Sequence, residues 1–146
     1  LEFRRVLFRS VLQGPNFNLI GVRSAQIGEH ITLNKINSAL RKEARELKAE
    51  LKILQTAKVD RALTFLHRNR NWAEGIILAP MAWAHYEYSI QEALALLAIP
   101  SIQIILKPPF ALSETSESIF DAVCLKTITK EPVSAYLSAL QSLLNQ

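Results

Sequence analysis

A chain of 146 residues, 49% apolar, with 17 basic side chains against 13 acidic ones, has the composition of one globular domain and not of a disordered tail. Its single cysteine, Cys124, excludes an internal disulfide, and with 3 histidines and no close-spaced Cys or His pair it also excludes a zinc cluster. Charge interrupts every apolar segment before membrane-spanning length, so a soluble, cytoplasmic protein with no membrane partner is expected.

The net charge of +4 does not point to nucleic acid, because Arg4, Arg5 and Arg9 against Glu2 concentrate half of the excess in the first ten residues. The opening LEFRRVLFRS has no initiator Met, no small-residue cleavage site and no long apolar core, and so fails as a secretory signal. Back-translated with ordinary codons, EFRRVLFRS spells a common sequencing-library adapter. Residues 1–10 are therefore expected to be non-native, and 11–146 to form a single domain.

The first apolar run, Val6 to Leu12, reads as a strand ended by Gly14-Pro15. Thr32 is placed to cap a helix carrying Ile36, Leu40, Leu47 and Leu51, with the charged run Arg41 to Lys52 on its solvated face. A short strand over Leu51 to Gln55 follows, then a helix through Val59, Leu63 and Leu66 that gives out at Asn69-Arg70-Asn71. Gly75 to Ala79 is the continuous apolar run required of a parallel strand covered on both faces, and Pro80 ends it. Tyr88 to Ala98 reads as a helix, Ser101 to Leu106 as a strand closed by Pro108-Pro109, and Ala122 to Ile128 as the last strand. Pro132 opens a final helix carrying Val133, Tyr136, Leu137, Leu140 and Leu144. Five strands separated by helices imply an α/β fold, a doubly wound parallel sheet of flavodoxin-like order with helices on both faces. In such a sheet a ligand site forms beyond the carboxyl ends of the strands, so functional residues are expected just after strands one, three and four.

The segment after strand one, Gln13-Gly14-Pro15-Asn16-Phe17-Asn18-Leu19-Ile20-Gly21-Val22-Arg23, resembles the hallmark NGPNLNLLGxR of the type II 3-dehydroquinate dehydratases. Gly75-Ile76-Ile77-Leu78-Ala79-Pro80-Met81-Ala82-Trp83-Ala84-His85 is similar to that family's GIVINPGAYTH. Ile99-Pro100-Ser101-Ile102-Gln103-Ile104-Ile105-Leu106 follows its IPVVEVHI, and Tyr136-Leu137 with Ala139-Leu140 follows its YLLAL. The resemblance implies dehydration of 3-dehydroquinate through an enolate, with a tyrosinate as base and a histidine as acid. A phenol with an ordinary pKa near 10 needs a neighbouring cation to serve as that base, and the enolate oxygen needs stabilising donors.

Carried over by resemblance, Asn16 and Arg23 take catalytic roles, and His85, Leu106 and Lys107 contact substrate. Other family positions are substituted. The catalytic tyrosine aligns with Gly28, a substrate-binding asparagine with Ala79, the acid histidine with Ile105, its glutamate partner with Gln103, and a loop arginine with the neighbourhood of Ser116. Loss of a general acid or base typically costs about 100-fold to 10,000-fold each, so dehydratase activity is expected to be impaired or lost. Three readings stand. One is a divergent dehydratase in which Tyr86 replaces the base. Another is a non-catalytic homologue that holds a small anion or serves a structural role. The third, an unrelated binder of phosphate or flavin, is disfavoured because Pro15 removes an amide where a phosphate cradle needs one. Taken singly, Asn16 also suits a plain turn, Arg23 a surface cation and His85 a cap or core position. The resemblance further implies no cofactor and no metal, and a homo-oligomer, trimer or dodecamer, with Trp83, Tyr86 and Tyr88 as an exposed aromatic contact.

Overall fold

The structure is a computed structural model that describes residues 6–112 and 117–144. Five strands form one parallel sheet in the order β2-β1-β3-β4-β5: β1 (Leu7–Gln13), β2 (Ala49–Gln55), β3 (Gly75–Ala79), β4 (Ser101–Ile104) and β5 (Lys126–Ile128). Five helices connect and cover them: α1 (Ile20–Gln26), α2 (Leu33–Glu46), α3 (Val59–Arg68), α4 (Tyr88–Leu97) and α5 (Pro132–Leu143). The order expected from the alternating pattern is the order observed.

Alternation along each strand divides the core into two layers. Val11 and Ile77 face α2 and α5, where they meet Ile36, Leu40, Ala135 and Leu140. Leu12, Ile76 and Leu78 face α3 and α4, where they meet Leu66, Ile90 and Leu94. β3 is buried along its whole length, as its unbroken apolar run requires. β5 is a short edge strand with Lys126 and Thr127 exposed, the usual way of blunting an open edge. No helix among the described residues is long and apolar enough to cross a membrane.

The helix ends follow local chemistry. The Thr32 hydroxyl accepts from Lys35 N at 3.2 Å and starts α2. Lys48, with φ 56°, stops that helix short of Leu51 and lets β2 begin at Ala49. Pro132 opens α5, and the Glu131 carboxylate accepts from Val133 N and Ser134 N at 3.0 and 3.2 Å. α1 has no counterpart among the expected elements. It is seven residues long with Gly21 near its start, and it forms because Ile20 is buried against the first core layer. The last strand is also shorter than its apolar run: Ile119–Ala122 is a 3-10 turn capped by Ser118, so Cys124 lies in the approach to β5 and not inside a strand.

Leu7–Ser10 form the first half of β1, between β2 and β3. Two polar residues are buried there. Arg9 donates through Nη2 to the Leu143 carbonyl at 3.2 Å, at the end of α5, where cationic charge suits a helix C-terminus. Ser10 Oγ is buried without a hydrogen-bond partner among the described residues.

At the carboxyl end of the sheet, Gly14 N donates to the Ala79 carbonyl at 2.8 Å, which ties the exit of β1 to the exit of β3. A side chain at position 14 would collide with this arrangement, because its Cβ would lie 2.5 Å from the Pro80 carbonyl oxygen. Gln55 Nε2 donates to the Gly14 carbonyl at 3.0 Å and adds the end of β2 to the same knot.

Candidate active site

Three loops converge at this knot. Asn16 follows Pro15 with φ 69°, a left-handed conformation that asparagine tolerates better than most residues, and it starts the 3-10 turn Phe17–Leu19 that leads into α1. Arg23, half-buried on α1, donates from Nε to the Pro109 carbonyl at 2.8 Å and from Nη1 to Gln26 Oε1 at 3.2 Å. These bonds aim the guanidinium and leave further N–H groups free of those two partners. His85 closes the 3-10 turn Met81–His85 that follows β3, and it is exposed.

Asn16, Arg23 and His85 all line one cavity of about 470 Å³. Ile105 and Leu106, just past β4, line it as well, with Met81 and Phe110. Of the other residues singled out in the sequence, Lys107 is exposed and lies off the cavity. Ala79 is fully buried in the core and does not reach it. Gly28 is exposed with φ 77°, a backbone that favours glycine, and a Cβ built there meets nothing within 4 Å. Ser116 lies outside the described residues. Sequence reasoning missed Gln26 and Phe110 as lining residues. Gln26 was within reach of it, since it sits three residues after Arg23 on one helix face; nothing local marks Phe110.

The chain has three tyrosines, and none of them lines the cavity. Tyr86 and Tyr88 are 56% and 60% exposed. Tyr136 is buried against Phe17, and burial pushes its phenol pKa up, with a contact to Gln13 acting in the opposite direction. Trp83, expected in an exposed aromatic contact, is instead 1% exposed. The 3-10 turn directs it into the layer formed by Leu78, Ile90 and Phe120, which leaves Tyr86 and Tyr88 as the exposed members of that group.

Gln103 stands where the family resemblance puts a glutamate. It is fully buried, and its amide is held on three sides: Nε2 donates to Asp121 Oδ1 at 2.5 Å and to Thr127 Oγ1 at 2.8 Å, while Oε1 accepts from Ser118 Oγ at 2.7 Å. This network joins β4 to the turn before β5 and to β5 itself. Nearby Cys124 is free and half-buried, and burial, with the Asp121 charge second, pushes its thiol pKa up to about 12. Such a thiol stays protonated and is a poor nucleophile at neutral pH. Among the described residues no group of three His, Cys, Asp or Glu side chains stands together as a metal site requires.

Residues 7–144 match the family model described as Dehydroquinase class II. The chain is 31% identical over 134 residues to a 3-dehydroquinate dehydratase of Dictyoglomus turgidum, covering 91% of this chain and 92% of that one. A type II dehydroquinase from Propionibacterium acnes superposes with a TM-score of 0.82 at 26% identity, covering 97% of this chain and all of that one. The type II dehydroquinase from Butyrivibrio crossotus shares the fold at a TM-score of 0.85 and 22% identity, covering 95% and 98% of the two chains. Because the match runs from β1 to the end of α5 and takes in both loops that bring Asn16, Arg23 and His85 together, the chain belongs to the class II dehydroquinase family.

Proposed function

We propose that this chain uses the family cavity to hold a small carboxylate with an apolar body, and that it dehydrates 3-dehydroquinate far more slowly than a member with its acid and base in place. The observation that carries this reading is that none of the three tyrosines lines the cavity. No phenol is therefore positioned beside Arg23 to be converted into a base. The wall past β4 is hydrocarbon at Ile105, where a general acid would be needed to protonate a leaving hydroxyl. What persists is a hydrogen-bonding and cationic set, Asn16, Arg23 and His85, facing Met81, Leu106 and Phe110. That combination suits an anion with an apolar body better than a ring with several hydroxyls, because each hydroxyl pressed against hydrocarbon loses a water partner at a cost of about 1–3 kcal/mol.

A direct assay of enone absorbance is expected to show turnover at least about ten-thousand-fold below an intact family member, the combined effect of missing acid and base. Calorimetric titration is expected to show benzoate binding more tightly than quinate. Normal turnover, or tighter binding of quinate that Arg23→Ala abolishes, overturns the proposal.

A further inference from the structure

The cavity is graded from floor to rim. Its fully buried lining residues are Ile20, Ile104 and Ala84, 3%, 1% and 3% exposed, and all three are apolar. The polar lining residues Asn16, Gln26, His85 and Glu117 are exposed, and Arg23 is half-buried. Leu19, Val22 and Leu112, which are 49%, 56% and 88% exposed, extend the apolar surface outward among them. A charged group pushed to the floor would be desolvated against hydrocarbon with no partner, whereas at the rim it meets the guanidinium and keeps part of its water.

We infer that the ligand is an acyl monocarboxylate that enters tail first, with its chain against Ile20, Ile104 and Ala84 and its carboxylate at the rim on Arg23. This rests on the reading of the cavity as a carboxylate site and adds the ligand's shape, charge and direction. The single charge follows from the rim itself. Arg23 already gives Nε to Pro109 and one Nη1 hydrogen to Gln26, so a dianion would meet one partly engaged guanidinium. The acyl tail follows from the floor, whose buried side chains are all hydrocarbon.

Calorimetry with butyrate, hexanoate and octanoate tests the inference on the unaltered chain. Affinity is expected to rise about four-fold per added methylene, until the chain outgrows the 470 Å³ cavity. A terminal hydroxyl on octanoate is expected to weaken binding at least about ten-fold, because it would be buried at the floor. Octyl phosphate should bind more weakly than octanoate, and Arg23→Ala should weaken every acid by the same factor regardless of length. An affinity flat across the series, a terminal hydroxyl tolerated without loss, or tighter binding of octyl phosphate overturns the inference. If benzoate binds while the series is flat, only the acyl chain and its direction fall. If quinate outcompetes every apolar acid, the reading of the cavity falls with them.

Discussion

Where the chain leaves β1 and β3, polar side chains reach the cavity with capacity to spare: Asn16 and His85 are exposed, and Arg23 keeps N–H groups beyond those given to Pro109 and Gln26. Where it leaves β4, the reverse holds. Gln103 is fully engaged by Asp121, Thr127 and Ser118 behind the sheet, and what faces the cavity is Ile105 and Leu106. The two sides show that a polar residue serves a site only when the fold leaves part of its hydrogen bonding unanswered. On the β4 side the polar groups hold the protein together; on the β1 and β3 side they are available to a ligand.

The sharpest way to break this contrast is Gln103→Glu, which substitutes a carboxylate where both amide donors are used and brings it against Asp121. A loss of about 2–4 kcal/mol in urea unfolding at neutral pH is expected. The introduced carboxyl would be buried beside a like charge, which raises its folded-state pKa above the unfolded value near 4.3. The loss should therefore grow as pH climbs above about 4 and shrink on acidifying below it, where the protonated carboxyl restores one of the two donors. Equal stability at pH 7 would show that the network is not a structural clamp.

Arg23→Ala probes the other side. Benzoate affinity is expected to fall about 10- to 100-fold, the usual effect of losing a hydrogen bond to a charged group. Unfolding should shift by less than about 1 kcal/mol, since the Arg23 contacts are exposed. Unchanged affinity by calorimetry would remove Arg23 from the site.

The smallest effect concerns Cys124. Its pKa is 9.0 when unperturbed and about 12 in the fold, so between those values the unfolded chain releases a proton that the folded chain retains. Stability should fall with rising pH across that window, and Cys124→Ala should lack this component. Midpoints of urea unfolding at pH 8 and pH 10.5 give the comparison. Rapid alkylation of the native protein at pH 8 would contradict a buried, protonated thiol.

The sequence disclosed most where one physical requirement acts alone. Gly75–Ala79 had to be a strand covered on both faces, and Thr32 and Pro132 marked helix starts through local hydrogen bonding and a fixed φ. It disclosed less where tertiary contact decides. Of the run Ala122 to Ile128 that reads as one strand, Ala122 instead ends a 3-10 turn that Ser118 caps and that buries Phe120, and only Lys126–Ile128 pair in the sheet. In the site, Asn16, Arg23 and His85, placed after β1 and β3 by the motifs, line one cavity. That Lys107 lies away from it while Phe110 lines it depends on how the chain folds back after Pro108-Pro109, which residue types alone do not specify.

Gly14 bears on how such a cavity keeps its shape. The separation of the Asn16 loop from the His85 turn is set by a backbone contact at a residue with no side chain. Substitutions at the cavity wall leave that contact intact. Side chains at the wall can thus change one at a time while the frame that presents a ligand keeps its dimensions. A methyl at position 14 would instead pry the two loops apart in a single step.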